Sequence, residues 1–151
     1  MKKYIVVFDI DGTLSVPADR LKYIKKDKPD WDSFYEACDE DEQNIPIACC
    51  CRALSLGFDI VYITGRPEST REKTVAWLEK HGLPTFEIER SLYMRADGDH
   101  RDDTDVKFEL LKNAKAVYNA EVLMVFEDRT RVVKRWRELG YTCLQVADGN
   151  Y

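Results

Sequence analysis

The chain has 151 residues, the size of one ordinary domain, and is 44% hydrophobic and 34% charged, a soluble globular composition that excludes disordered and fibrous classes. Its formal net charge of −5 argues against a protein that coats long stretches of nucleic acid by neutralising phosphates, while leaving the binding of a strand end open. The apolar stretch after the N-terminal Met1-Lys2-Lys3 is too short for a signal-peptide core or a membrane span, so a cytoplasmic location without a membrane partner is expected.

In chain order, residues 4–8 form a short Val- and Ile-rich run that reads as a strand buried on both faces. A long polar insertion, residues 15–45, follows; connections of this length usually carry a lid or small helices of their own. Residues 46–56 open with a proline and stop at Gly57, a helix signature, and residues 68–81 end likewise at Gly82. Further strands are predicted at 58–63, 88–94, 122–126 and 141–146, and further helices at 105–118 and 130–139, where Val106, Leu110, Ala114 and Val117, then Val132, Val133, Trp136 and Leu139, recur at helical spacing.

Strands alternating with helices predict an α/β fold, a doubly wound, Rossmann-like parallel sheet of order 3-2-1-4-5 carrying a small cap-like insertion, and one domain over residues 1–151. Five cysteines, three of them consecutive at positions 49–51, give neither zinc-site spacing nor an even disulfide framework. Reduced packing thiols, with one at the surface, are expected.

Chemistry concentrates at the ends of the predicted strands. Asp9 and Asp11 follow the first strand, with Gly12 allowing a tight turn, and in open α/β sheets this carboxyl edge is where ligands bind. The second strand ends in Ile63-Thr64-Gly65-Arg66-Pro67, a hydroxyl, free amides and a guanidinium, all phosphate-binding groups. Lys107 sits one helical turn after Asp103, and the fourth strand ends in Glu127-Asp128. In the expected strand order Asp9, Asp11 and Asp128 converge, and carboxylates so crowded need a cation among them; a hard, oxygen-seeking ion such as Mg2+ suits the donor set.

Together Asp9-Ile10-Asp11-Gly12-Thr13, Thr64, Lys107 and Glu127-Asp128 resemble the four motifs of haloacid dehalogenase superfamily phosphatases. More narrowly, residues 95–103 before Lys107, and Asp128-Arg129 through 136–140 to Gln145-Val146-Ala147, resemble the 3′-phosphatase domain of bacteriophage polynucleotide kinase/phosphatase proteins. Thr64 stands where relatives carry serine and Glu127 where many carry aspartate, each keeping the functional group. The chain has no Gly-x-x-x-x-Gly-Lys-Ser/Thr loop, so kinase activity is not expected.

The resemblance implies that Asp9 is the nucleophile of an aspartyl-phosphate mechanism and Asp11 the acid and base, with a pKa raised by its neighbours. It implies Mg2+ held by Asp9, the Asp11 backbone carbonyl and Asp128, with Glu127 acting through a metal-bound water. Thr64 and Lys107 would neutralise the phosphoryl oxygens, Asp103 would orient Lys107, and Arg66 and Arg95 would grip the substrate's phosphates. The substrate implied is a phosphorylated nucleic-acid 3′ end. A nucleotide or other small phosphomonoester is the enzymatic alternative, and a phospho-acceptor signalling domain the non-enzymatic one, which lacks the acid two residues past its aspartate. Trp31, Phe34 and Tyr35 suit either packing or an aromatic edge over the substrate. His81 and His100 have no place in a two-carboxylate scheme.

Overall fold

A computed structural model describes residues 3–149. At its centre lies β1 (Tyr4–Phe8), which pairs in parallel with β4 (Asp59–Pro67) on one side and β6 (Glu121–Glu127) on the other, so that Val7 stands level with both Val61 and Val125. β5 (Leu92–Arg95) and β7 (Cys143–Gln145) complete a five-stranded parallel sheet of order β5-β4-β1-β6-β7; counting only these five strands, that is 3-2-1-4-5. Asp9 therefore leaves the central strand at the switch point, where neighbouring connections depart to opposite faces.

The period-2 alternation of β1 divides the core. Val6 and Phe8 face one side, packing with Ile60 and Tyr62 against α3 (Ile45–Leu54) and α4 (Arg71–Lys80) through Ala48, Cys51, Trp77 and Leu78. Ile5 and Val7 face the other, packing with Val61 and Ile63 against α6 (Asp103–Tyr118) and α7 (Thr130–Glu138) through Leu111, Ala114, Val133 and Trp136. Burial of each such aliphatic side chain contributes about 1.5–3 kcal/mol. Phe8 and Phe126 stack at 4.3 Å between ring centroids, tying β1 to β6 just below the chemistry.

The insertion is a compact cap. β2 (Ser15–Val16) pairs antiparallel with β3 (Glu42–Gln43), closing the loop back onto its own start. Between them lie α1 (Leu21–Ile24) and α2 (Trp31–Glu36), the latter capped by Asp30, whose side chain accepts from the Ser33 amide at 3.0 Å.

Two sequence expectations are corrected here. Residues 88–94 are not one strand: Ile88–Ser91 form a short helix, α5, and only Leu92–Arg95 joins the sheet. The polar Glu89-Arg90-Ser91 run has no alternating apolar face to bury, and Glu87, at φ 52°, turns the chain into the helix, where the Ser91 hydroxyl donates to its carbonyl at 3.2 Å. All five thiols are free, as expected, but Cys49 and Cys50 both reach the surface, two thiols where one was expected.

Candidate active site

Three strand ends and one helix start build the site. β1 presents Asp9, whose amide donates to the Phe126 carbonyl at 3.0 Å, fixing its position against β6. β6 presents Glu127 and Asp128, α6 presents Asp103 and Lys107, and β4 presents Thr64 and Arg66; Asp9, Thr64, Lys107, Glu127 and Asp128 are all buried while lining one cleft of about 960 Å³.

Lys107 is the hub. Its Nζ donates to Asp9 Oδ1 and to Glu127 Oε2, each at 2.8 Å, and lies 3.4 Å from Asp103 Oδ2. Burial works against the ammonium charge, but the attraction of Asp103, Asp9 and Glu127 outweighs it and holds the pKa well above the ordinary lysine value. Thr13 supports the other side of the nucleophile: its hydroxyl donates to Asp9 Oδ2 at 3.2 Å or to Asp128 Oδ1 at 3.4 Å. Gly65 is required here, because a Cβ at that position would stand 2.6 Å from Asp103 Oδ1 and push that carboxylate off the lysine.

The carboxylates outnumber their cation. Burial first, then the charge of Glu127, pushes Asp9 up to about 7; burial, with the charge of Asp128, pushes Glu127 up to about 7 as well. Asp9, Glu127 and Asp128 place one oxygen each within 4.8 Å of one another, all buried. An all-oxygen set with excess negative charge fits a hard divalent cation and relieves the repulsion that otherwise favours protonation. Glu127 is held on both oxygens: Oε2 accepts from Lys107 at 2.8 Å, and Oε1 accepts from the amides of Asp128 and Arg129, each at 3.2 Å. The Asp11 side chain is not in this set.

Asp11 is instead clamped by two guanidiniums. Arg66 donates to Asp11 Oδ1 from Nη2 at 2.7 Å and from Nε at 3.0 Å, and Arg20 donates to the same oxygen from Nη2 at 2.7 Å. Burial raises the carboxyl, but Arg66 and then Arg20 override it and hold Asp11 well below the usual carboxylate range. The raised pKa expected of an acid and base is therefore not the arrangement seen: of the carboxyls around Lys107, Asp9 and Glu127 are raised, and beside Asp11 it is Asp41 that burial raises.

The two arginines expected to grip substrate phosphate both bond to the protein itself. Arg66 is fully buried, its remaining donors spent on the Thr74 hydroxyl at 3.2 Å and the Cys38 carbonyl at 3.3 Å, and it meets the cleft through Asp11. Arg95 lines the cleft but fastens its loop, donating to the carbonyls of Gly65, Asp99 and Arg101 and to Asp103 Oδ1 at 3.0 Å.

A family model described as "Polynucleotide kinase PNKP phosphatase domain" matches residues 3–151. The chain belongs to this family. It is a phosphatase of the haloacid dehalogenase superfamily, a hydrolase of phosphomonoesters. A "Putative bifunctional polynucleotide kinase/RNA ligase" of Autographa californica nuclear polyhedrosis virus is 32% identical over 138 residues, 89% of this chain but 18% of that protein. Among solved structures, "Structure of the Pnkp1/Rnl/Hen1 RNA repair complex" contains a chain that superposes with a TM-score of 0.80 at 28% identity, over 99% of this chain and 44% of that one. The chain thus spans less than half the length of these relatives. A class C acid phosphatase from Bacillus anthracis with tungstate bound shares the fold, with a TM-score of 0.69 at 17% identity over 100% of this chain and 69% of that one.

Within this phosphatase-family frame, several residues escaped the sequence reading. Arg20 and Asp41 come from the cap: Arg20 Nε and Nη2 donate to Asp41 Oδ1 and Oδ2 at 2.6 and 2.5 Å, Nη1 to the Phe34 carbonyl at 2.8 Å, and the Phe34 ring lies 4.2 Å beneath the guanidinium. At the other end of the chain, Gly149 donates its amide to the Asp128 carbonyl at 3.1 Å and Gln145 Nε2 donates to the same carbonyl at 3.0 Å. Arg20 and Asp41 carried no periodic or motif signal, and burial of a cap arginine beside Asp11 is what distinguishes them; Gln145 lay in a stretch read for its resemblance but was given no role.

Proposed function

We propose that the chain is a magnesium-dependent polynucleotide 3′-phosphatase that removes a terminal phosphate from a nucleic-acid end through an aspartyl-phosphate on Asp9. The observation that carries this reading is the buried Asp9 carboxylate at the end of the central strand, held by Lys107 on one oxygen at 2.8 Å and by Thr13 on the other at 3.2 Å, on the wall of an open cleft. The preference for a polynucleotide over a small monoester rests on membership of the family and on relatives named for nucleic-acid repair. Residues 1–151 act in it as one phosphatase unit, with 15–45 as its cap.

In the first step Asp9 attacks phosphorus as the bond to the sugar oxygen breaks, and the departing oxygen takes a proton from Asp11. In the second, Asp11 takes a proton from water as that water displaces Asp9 from phosphorus, releasing inorganic phosphate and restoring the carboxylate. A carboxylate held between two guanidiniums carries no proton to give and accepts one poorly, so Asp11 works after turning from them into the cleft that it already lines, where it takes up from solvent the proton that it gives in the first step and regains in the second. Lys107 and the Thr64 hydroxyl offset charge on the phosphoryl oxygens, and Asp103 steadies Lys107 from the preceding turn. Asp9, Asp128 and the Asp11 carbonyl, with Glu127 beside them, would hold Mg2+, which supplies further neutralisation of the phosphoryl group.

The test measures phosphate release from matched oligonucleotides bearing a 3′- or a 5′-phosphate and from mononucleotides, with Mg2+ or with chelator. The reading predicts Mg2+-dependent release from 3′ ends first. Preference for mononucleotides or 5′ ends replaces it with the nucleotidase reading.

A further inference from the structure

The cap carries its charge in two blocks. Residues 22–28 hold Lys22, Lys25, Lys26 and Lys28 against a single acid, Asp27, whereas residues 30–42 hold seven acids and no lysine or arginine. A surface built only for solubility intersperses the two signs, and in a chain of net charge −5 this one separates them. All four lysines are exposed, and among the described residues none of them is ion-paired. The guanidiniums inside the cleft are in the opposite state: Arg95 and Arg129 hold Asp103, Arg101 holds Asp99, and Arg131 holds Asp102.

The fold fixes this basic block at the rim of the catalytic cleft. α1 ends at Ile24, and the loop that follows is closed by the Asp30 amide, which donates to the Tyr23 carbonyl at 2.9 Å. Lys22 and Lys26 place Nζ 5.2 and 5.7 Å from the centroid of the Tyr23 ring, so an ammonium of α1 and one of the loop gather around a single aromatic group. Pro29 and Asp30, which follow Lys28 directly, line the cleft that contains Asp9, Thr64 and Lys107. The Asp30 carboxyl is held below its ordinary range by the amide and hydroxyl of Ser33 and then by the charge of Lys26, so the field of the lysines reaches the cleft lining.

We propose that the lysine loop, residues 22–28, is a second binding surface for the substrate strand: with the 3′-phosphate at Asp9, the phosphates on its 5′ side run out over Lys22, Lys25, Lys26 and Lys28. This rests on the polynucleotide reading given above. A strand leaving the cleft meets guanidiniums already neutralised by their own wall, and unpaired cations begin only at this loop. Each phosphate that an ammonium neutralises on a single strand adds about 0.7 to the slope of log affinity against log salt, so four lysines supply a slope of about 2–3. A mononucleotide carries no phosphate that extends to the loop and gains nothing from it. The loop therefore selects strands over nucleotides at a centre whose chemistry treats both alike, while the acids of residues 30–42 turn a strand away from the rest of the cap.

The experiment compares native protein with a protein carrying Lys22→Gln, Lys25→Gln, Lys26→Gln and Lys28→Gln together. The substrates are a nucleoside 3′-monophosphate and a single-stranded 3′-phosphorylated oligonucleotide of about a dozen nucleotides, each over a range of salt concentrations. The substitutions raise KM for the oligonucleotide about tenfold at low salt and lower the slope of log KM against log salt by about 2, and they leave kcat on both substrates and KM for the nucleotide within about twofold of native. Native KM and native salt slope on the oligonucleotide, or an equal loss on the nucleotide, overturn the proposal. Binding is read separately in Asp9→Asn protein, with and without the four substitutions, as fluorescence anisotropy of a 5′-labelled oligonucleotide ending in a 3′-hydroxyl; the same fall in affinity and in salt slope is expected. That measurement tests the loop even if native protein releases no phosphate from either substrate, a result that removes the phosphatase reading instead. Binding to phosphatidylserine vesicles that the four substitutions abolish, with oligonucleotide binding left native, assigns the loop to a lipid surface and overturns the proposal.

Discussion

Arg20 Nη2 lies 2.7 Å from Asp11 Oδ1 and 2.5 Å from Asp41 Oδ2, so one cap guanidinium joins Asp11, the proposed acid and base, to the far end of the insertion. Residues 15–45 are therefore tied to the site and not only a cover: the cap holds Asp11 in its resting orientation.

Replacing Arg20 by alanine leaves Asp41 buried without its bidentate partner and Asp11 with Arg66 alone. Loss of one member of a buried pair costs about 3–5 kcal/mol, so a lowered melting temperature is expected together with a fall in kcat of at least ~10²-fold. Arg20→Lys does not rescue activity, because a single ammonium cannot present the planar fork that serves Asp41, Asp11 and the Phe34 carbonyl together. Thermal unfolding beside steady-state kinetics checks both; a fully active Arg20→Lys protein contradicts the account.

Lys107→Ala removes the one side chain that, among the described residues, bonds Asp9 Oδ1 directly. Asp9 and Glu127 are then left to repel one another, whereas Asp103 keeps Arg95 and Arg129, and kcat is expected to fall by about 10²–10³-fold. The apparent requirement for divalent cation should deepen, since the ion becomes the main counter-charge. Titration of rate against Mg2+ concentration reads this out.

Gly149→Ala probes the C-terminal clasp. A Cβ there would stand 2.5 Å from Asp128 Oδ2 and 2.7 Å from the Arg129 backbone, and backbone does not yield cheaply. Asp128 is forced to shift, so weaker divalent-cation binding is expected, by about tenfold, with the sheet and its unfolding cooperativity retained. Calorimetric titration with Mn2+ measures it; unchanged affinity shows that the clasp does not orient Asp128.

Cation binding to the native state alone should also raise thermal stability by mass action, as RT ln(1 + [L]/Kd). Adding Mg2+ to chelator-treated native protein is expected to raise the melting temperature, and adding it to Asp128→Ala protein is not. An equal rise in both places the ion elsewhere.

What the sequence made legible follows from locality. Asp9 and Asp11 stand directly after a buried Val- and Ile-rich run, so strand, edge and carboxylates are all written within one short segment. Lys107 and Glu127-Asp128 stand out by order along the chain and by resemblance, and the fold brings them to Asp9, with Lys107 bonding Asp9 across 98 residues and Glu127 across 20. Arg20 and Asp41 were missed because a polar cap has no hydrophobic period, and their pairing across 21 residues depends on closure of β2 on β3. The burial of Arg66 was hidden for the same reason. A guanidinium at a strand end looks solvated until the cap that buries it is in place.

The central claim is that Asp9 becomes phosphorylated during turnover. Acid quenching of native protein during hydrolysis of a 3′-phosphorylated oligonucleotide, followed by borohydride reduction and peptide mass spectrometry, reads which carboxylate carried the phosphoryl group. Reduction to homoserine at position 9 and nowhere else, absent in Asp9→Asn protein that also releases no phosphate, is the predicted result. Reduction at Asp11 or Asp128, or an Asp9→Asn protein as active as the native one, contradicts it.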